Sequence, residues 1–209
     1  MSLVAESPAK NRSEPTRLVS SDRRDHLLDA AAELLVGGDD AVSMDSVAER
    51  AGVSRPLVYK HFANRGELLA SVYERESNLL HRELASAVNA ADTLEDKFRA
   101  LVRGALRAEA SRGATFAALR SAGARGRAAR ERQRRRDRNT VAHFAALAIR
   151  EHGSEERETT LAVAILLGAL TSVLAQWRRY PTPDNAKSLE DIYVRLAMGG
   201  LAELGGTTR

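Results

Sequence analysis

The stretch from Met44 to Phe62 reads MDSVAERAGVSRPLVYKHF, and its punctuation decides the fold. Ser43 precedes it as a helix cap, and Met44, Val47, Ala48 and Ala51 recur at helical spacing on one face. Gly52 supplies the left-handed residue with which a helix ends, and Val53 turns back inward. Ser54 then opens a second short helix with Pro56 in its first turn, where a backbone N–H has no helical acceptor anyway. Two short helices meeting through a tight glycine turn make a helix-turn-helix. Ala48 is small enough for a close crossing, and Val47, Val53 and Val58 fill the wedge. The second helix is left with Arg55, Tyr59, Lys60 and His61 outward, side chains suited to phosphate oxygens and base edges.

Working outward, Ser21 caps a first helix with Leu27, Leu28, Ala31, Leu34 and Leu35 inward, ended by Gly37-Gly38. Asn64 caps a long fourth helix whose stripe runs from Leu68 and Leu69 through Val72 and Tyr73 to Leu84 and Val88. Thr93 caps a fifth, with Leu94, Phe98, Leu101, Val102 and Leu106 inward. A short sixth helix is expected over Ala114 to Ala122 and a seventh from Gly126 to Gly153. An eighth runs from Glu155 to Arg179, stopped by Pro181 and Pro183, and a ninth from Ser188 to Leu204. No strand or internal repeat is convincing, so the expected fold is all-α with about nine helices. Residues 1–20, with Ser7, Pro8, Ser13 and Pro15, read as a disordered arm, either a plain tail or one that touches DNA through Lys10, Arg12 and Arg17. Residues 21–66 read as the helix-turn-helix domain and 67–209 as a second, helical domain.

Composition agrees with this reading. The chain has 209 residues, 44% hydrophobic but only 4% aromatic, a mix that favours helix over sheet. The absence of cysteine excludes a disulfide scaffold, a thiolate metal site and a cysteine nucleophile. The net charge of +4 is concentrated. Arg50, Arg55, Lys60 and Arg65 occupy a window from 50 to 65 that holds no acid. From Arg125 to Arg138 eight arginines face only Glu131 and Asp137. That second block reads either as the solvated start of the seventh helix or as a source of phosphate attraction or of contacts to Asp22, Asp25 and Asp29. His26, His61, His81, His143 and His152 share no ligand spacing. Gly123 to Gly126 lacks the strand and lysine of a phosphate loop, and no serine sits in a nucleophile elbow. No metal, no cofactor and no enzymatic activity are therefore expected. The apolar run from Leu161 to Leu174 falls short of the ~20 residues that span a bilayer. With no signal-peptide pattern, the expectation is a cytoplasmic protein without a membrane partner.

The residues Ser43, Val47-Ala48, Ala51-Gly52-Val53-Ser54, Leu57, Tyr59, His61-Phe62 and Arg65 with Leu68 and Leu69 carry a family resemblance. Together with Arg24, Leu28, Ala31-Ala32 and Leu35, they make residues 22–70 resemble the TetR family of one-component transcriptional regulators. Val58 before Tyr59, and Arg65 where lysine is common, depart from the pattern and keep its physics. The candidate contacts to double-stranded operator DNA are Ser43, Ser54, Arg55, Pro56, Tyr59, Lys60, His61 and Arg65. The resemblance implies a repressor that binds a palindromic operator as a homodimer and is released by a small, largely apolar effector. The alternatives are a helical protein-interaction module and a constitutive DNA-binding regulator without an effector.

The eighth helix is apolar nearly all round, which a helix wet on one side would not be, so both its faces are expected to be covered. A two-fold four-helix bundle through Leu161, Ile165, Gly168, Ala169, Ser172, Ile192 and Leu196 accounts for it, as the family resemblance also implies. The effector pocket would lie among helices four to eight. Its candidate lining is Tyr73, Phe98, Leu101, Phe116, Phe144, Leu147 and Trp177, residues that read equally as plain core. His81, Arg103 and His143 are candidate polar partners within it.

Overall fold

The computed structural model describes residues 20–124 and 126–206, so the N-terminal arm with Lys10, Arg12 and Arg17, and Arg125 with them, lie outside the described residues. The described chain forms α1 (Ser20–Leu35), a single 3-10 turn at Asp39–Ala41, α2 (Met44–Arg50), α3 (Arg55–His61) and α4 (Arg65–Asn89). It continues as α5 (Leu94–Ser121), α6 (Arg127–His152), α7 (Glu156–Arg179) and α8 (Pro183–Gly206), with no strand among the described residues.

The local signals explain these boundaries. The Ser43 hydroxyl accepts from Ser46 N at 2.9 Å and Ser46 Oγ accepts from Ser43 N at 2.8 Å, a reciprocal cap on α2. The Asn64 side chain accepts from Glu67 N at the start of α4, and that of Thr93 accepts from Asp96 N at the start of α5. Two expectations are corrected. The fifth and sixth helices are one, α5, because Gly113 costs a helix interior only about 1 kcal/mol and no proline interrupts the run. The last helix starts at Pro183 rather than Ser188. Proline suits a first helical turn, and Thr182 Oγ1 accepts from Asn185 N at 3.2 Å. The described residues therefore form eight α-helices instead of nine.

Two hydrophobic cores result. The N-terminal core joins Leu27, Leu28, Ala31 and Leu35 of α1 to Val47, Val58 and Phe62, closed by Leu68, Leu69, Val72 and Tyr73 of α4 and Leu119 of α5. The C-terminal core gathers Phe98, Leu101, Val102, Phe144, Ala148, Val163, Val194 and Leu201 from α5 to α8. Helices α4 and α5 run through both cores and cross closely at Gly104, where a Cβ would stand 2.5 Å from Leu84 Cδ2. Helix α7 is long and apolar enough to cross a membrane by length and composition, which the shorter Leu161 to Leu174 run does not reveal. In the fold it packs against α5, α6 and α8.

Candidate nucleic-acid interface and bundle cavity

The helix-turn-helix is built as its punctuation requires. Gly52 adopts φ 65°, the left-handed conformation, and Val53 N donates to Ala48 O at 2.9 Å, closing the end of α2. Val58 is fully buried on the inner face of α3, while Arg55, Pro56, Tyr59 and Lys60 face solvent. Arg55 is held in place: its Nε lies 2.6 Å from Asp45 Oδ1 and its guanidinium 5.6 Å from the Tyr59 ring centroid. A hydrogen bond with Tyr59 and the charge of Asp45 hold its pKa above the ordinary arginine value. The ion pair to Asp45 thus ties Arg55, stacked near Tyr59, to α2.

Other members of the proposed DNA set have structural duties. Ser43 caps α2 with its side chain. Ser54 occupies the N-cap of α3 but its side chain accepts no capping bond, so it stays exposed. His61 is half-buried beside Phe62, ring centroids 6.4 Å apart. Arg65 is half-buried, and its Nε donates to Val42 O at 2.7 Å, fastening the start of α4 to the chain leading into α2. Arg65 is therefore a brace as well as a cation. Two further arginines tie α1 and α4 together. Arg24 lies over the Phe62 ring at 4.8 Å and donates to Ser71 Oγ at 2.9 Å. Arg75 pairs with Asp29 at 2.8 Å and donates to Asp25 O at 3.1 Å. In sequence, an arginine on a helix face looks solvated, so these braces give no signal there.

The basic block at the start of α6 turns partly toward α4. Arg132 pairs with Glu74 at 3.0 Å, and Arg136 donates to Ser77 O at 3.4 Å and to Asn78 Oδ1. Arg138 lies 3.7 Å from Glu131 on its own helix.

Beside Arg136 opens a cavity of about 1030 Å³ between α6 and α7, reached also by His81 and Leu84 of α4 and Leu101 of α5. Its walls are small and apolar: Val141, Ala142, Ala145 and Ala146 of α6 against Ala164, Leu167 and Gly168 of α7. Burial and the neighbouring Arg136 push the His81 pKa below the usual histidine value, and Asp137 opposes them. A smaller cavity of about 210 Å³ shares His81, Leu84, Leu101 and Thr140, and adds His143 and Phe144.

The structure distributes the candidate aromatic lining over several places. Tyr73 and Phe116 meet edge to face, 6.2 Å apart, in the N-terminal core. Phe98 is fully buried 4.6 Å from Phe144 in the C-terminal core, against which Leu147 also packs. Trp177 lines a separate cleft of about 660 Å³ with Arg107 and Lys187. Arg103 is engaged by the buried Glu190 at 2.6 Å. Leu101 remains in the large cavity, and Phe144 in the small one. Apolar periodicity shows which face of a helix turns inward but not which neighbour it meets. The missed signal was the set of small residues at helical spacing on both α6 and α7.

Helix α7 is not covered on both faces within the single chain. Leu161 is 57% exposed, Ile165 72%, Ile192 46% and Leu196 67%, with Ser172 also exposed and Ala169 half-buried. Gly168 is exposed and lies at the edge of the cavity. Among the described residues no group of three His, Asp or Glu is gathered that could hold a metal ion.

With this geometry in view, residues 27–72 match the family model for bacterial regulatory proteins of the tetR family. The chain is 36% identical over 96 residues to the HTH-type transcriptional activator FasR of Mycolicibacterium smegmatis, covering 46% of this chain and 44% of that protein. The match thus spans less than half of that relative. Among solved structures, a putative transcriptional regulator from Pseudomonas aeruginosa PAO1 superposes with TM-score 0.76 at 19% identity, covering 93% of this chain and 97% of that one. The transcriptional regulator FadR from Bacillus subtilis, in complex with stearoyl-CoA, superposes with TM-score 0.62 at 18% identity, covering 84% and 98%. These two likenesses concern the fold.

Proposed function

We propose that this chain is a TetR-family transcriptional regulator, a dimeric repressor that reads a palindromic operator with the helix-turn-helix domain of residues 21–66, a reading supported by the family match over residues 27–72. It leaves that operator when a small, largely apolar ligand enters the bundle. The observation that carries the reading is α3, which presents Arg55, Tyr59 and Lys60 to solvent from a helix locked on the core by Val58. Arg55 and Tyr59 face the bases, and Lys60 faces a phosphate, with Ser54 and Pro56 at the helix start beside the backbone.

The uncovered apolar side chains Leu161, Ile165, Ile192 and Leu196 support a two-fold bundle of α7 and α8 with a second copy. Such a dimer sets two α3 helices in successive major grooves, about 34–36 Å apart. The large cavity supports a ligand-controlled regulator, as does the bound acyl compound in the Bacillus FadR structure. One observation favours the opposite regulatory sign: FasR is named an activator.

The test is a gel shift of the full chain on genomic fragments with competitor DNA, followed by transcription from the retained promoter. The proposal expects a discrete palindromic site and lower transcription with protein bound. Binding to all fragments alike overturns the regulator, and higher transcription overturns the repressor.

A further inference from the structure

The large cavity is a groove with two unlike ends. Helices α6 and α7 are joined by the short 153–155 turn, so they run back alongside each other, and both line it. Along α6 the lining extends from Gln133 to Ile149, about 24 Å at the helical rise per residue. That is long enough for an extended hexadecyl chain. Between the ends the lining is mostly apolar, alanines and Gly168 with Leu101, Val141, Leu167 and Leu170, and carries no charge.

One end carries Arg136. Its guanidinium is hydrogen-bonded to neutral oxygens, Ser77 O and Asn78 Oδ1, and makes no ion pair among the described residues. At the same end Arg138 lies 3.7 Å from Glu131, and Asp137, which accepts from Gln133 at 2.8 Å, keeps its charge and leaves Arg136 as the cation not shared with a carboxylate among the described residues. The His81 ring lines the same end. At the far end stands Glu156, in the first turn of α7 and without an ion pair among the described residues. An anion is welcome at the Arg136 end and repelled at the Glu156 end.

We infer that the groove takes a single-headed, unbranched amphipathic anion of about hexadecyl length, its anionic group on Arg136 and its chain laid along the alanines toward Glu156. The inference rests on the reading of the chain as a ligand-released regulator, and it specifies the ligand. Each methylene added up to the length of the slot gains apolar burial. A second anionic head, at the far end, meets Glu156.

The full chain is titrated calorimetrically, without DNA, with hexadecanoate, hexadecanol, hexadecanedioate and hexadecyltrimethylammonium, each below its aggregation limit. Hexadecanoate is expected to bind about tenfold or more tightly than the alcohol and the diacid, and the cation not to bind, since a charge-assisted bond at Arg136 makes the difference. Arg136→Gln should remove that tenfold preference while leaving hexadecanol binding in place, and Arg136→Lys should restore part of it. Ala164→Leu should move the preferred carboxylate from hexadecanoate to a shorter chain.

Equal binding of acid and alcohol overturns the inference, as does an Arg136→Gln protein that loses both equally or binding of none of the four compounds. If Arg136→Gln does not fold, the ranking of the four head groups on the unaltered chain decides alone. The two readings fail separately. Hexadecanoate that binds without loosening the operator complex overturns release only. An unrelated compound that loosens it while none of the four binds overturns the ligand class only.

Discussion

The two halves of this molecule solve opposite problems with the same element. In the N-terminal half, short helices bury Leu27, Val47, Val58 and Phe62 almost completely, and Arg24, Arg65 and Arg75 brace the helices from outside. In the C-terminal half, longer helices leave a cavity of about 1030 Å³ and the uncovered apolar face of α7 and α8. A surface that reads DNA needs its side chains at fixed positions. A receiver of ligands and a partner needs space and unsatisfied apolar surface. Small residues serve both, Ala48 by permitting a close crossing and Gly52 by its left-handed turn in the first half, Ala145, Ala164 and Gly168 in the second by leaving room.

Mutations can break or sharpen that contrast. The largest effect is expected at Phe62→Ala, which removes a fully buried ring from the tight core and should cost about 3–5 kcal/mol in denaturant unfolding. Ala164→Leu, into the cavity wall, should change stability by no more than about 0.5 kcal/mol in the same assay. Similar costs at both sites would erase the distinction between tight and open halves. Next comes Ile165→Glu on the uncovered face. Light scattering should show monomers, and operator affinity should drop about 100-fold or more as two linked contacts become one.

On α3, Arg55→Ala should relax preference at one base position by about 1–3 kcal/mol, read from a ranked set of operator variants. Lys60→Ala should instead weaken all DNA alike and lower the salt slope by about one unit per half-site. The smallest effect concerns His81. Its pKa is lower in the fold than in the unfolded chain, so acidification protonates the unfolded state first. Stability should therefore fall as pH drops below the ordinary value near 6.5, and His81→Gln should flatten that part of the curve of melting temperature against pH.

The two halves also differed in how legible they were in the sequence. The helix-turn-helix was readable residue by residue because its signals are local: a cap at Ser43, a positive φ at Gly52, a proline in the first turn of α3 and a cap at Asn64. The apolar character of α7 was also readable, and the structure leaves Leu161 and Ile165 of that run exposed in the single chain. The continuity of α5 was not, because Gly113 resembles a stop and only the packing on either side carries the helix through it. Nor was the destination of the aromatics. Tyr73 and Phe116 lie on inward faces, but α4 and α5 pass through both cores, and nothing local says which core receives a given turn. The cavity depends on what several helices together fail to fill, a property no single segment displays.

The central claim is that two copies join through α7 and α8 to hold two reading helices on one operator. Sedimentation of the full chain with a selected duplex tests it most directly, since mass gives the number of chains per site. The account predicts two chains per duplex on half-sites one helical turn apart, and loss of the complex when the half-site spacing changes by half a turn. One chain bound to a single asymmetric half-site, indifferent to spacing, would contradict it.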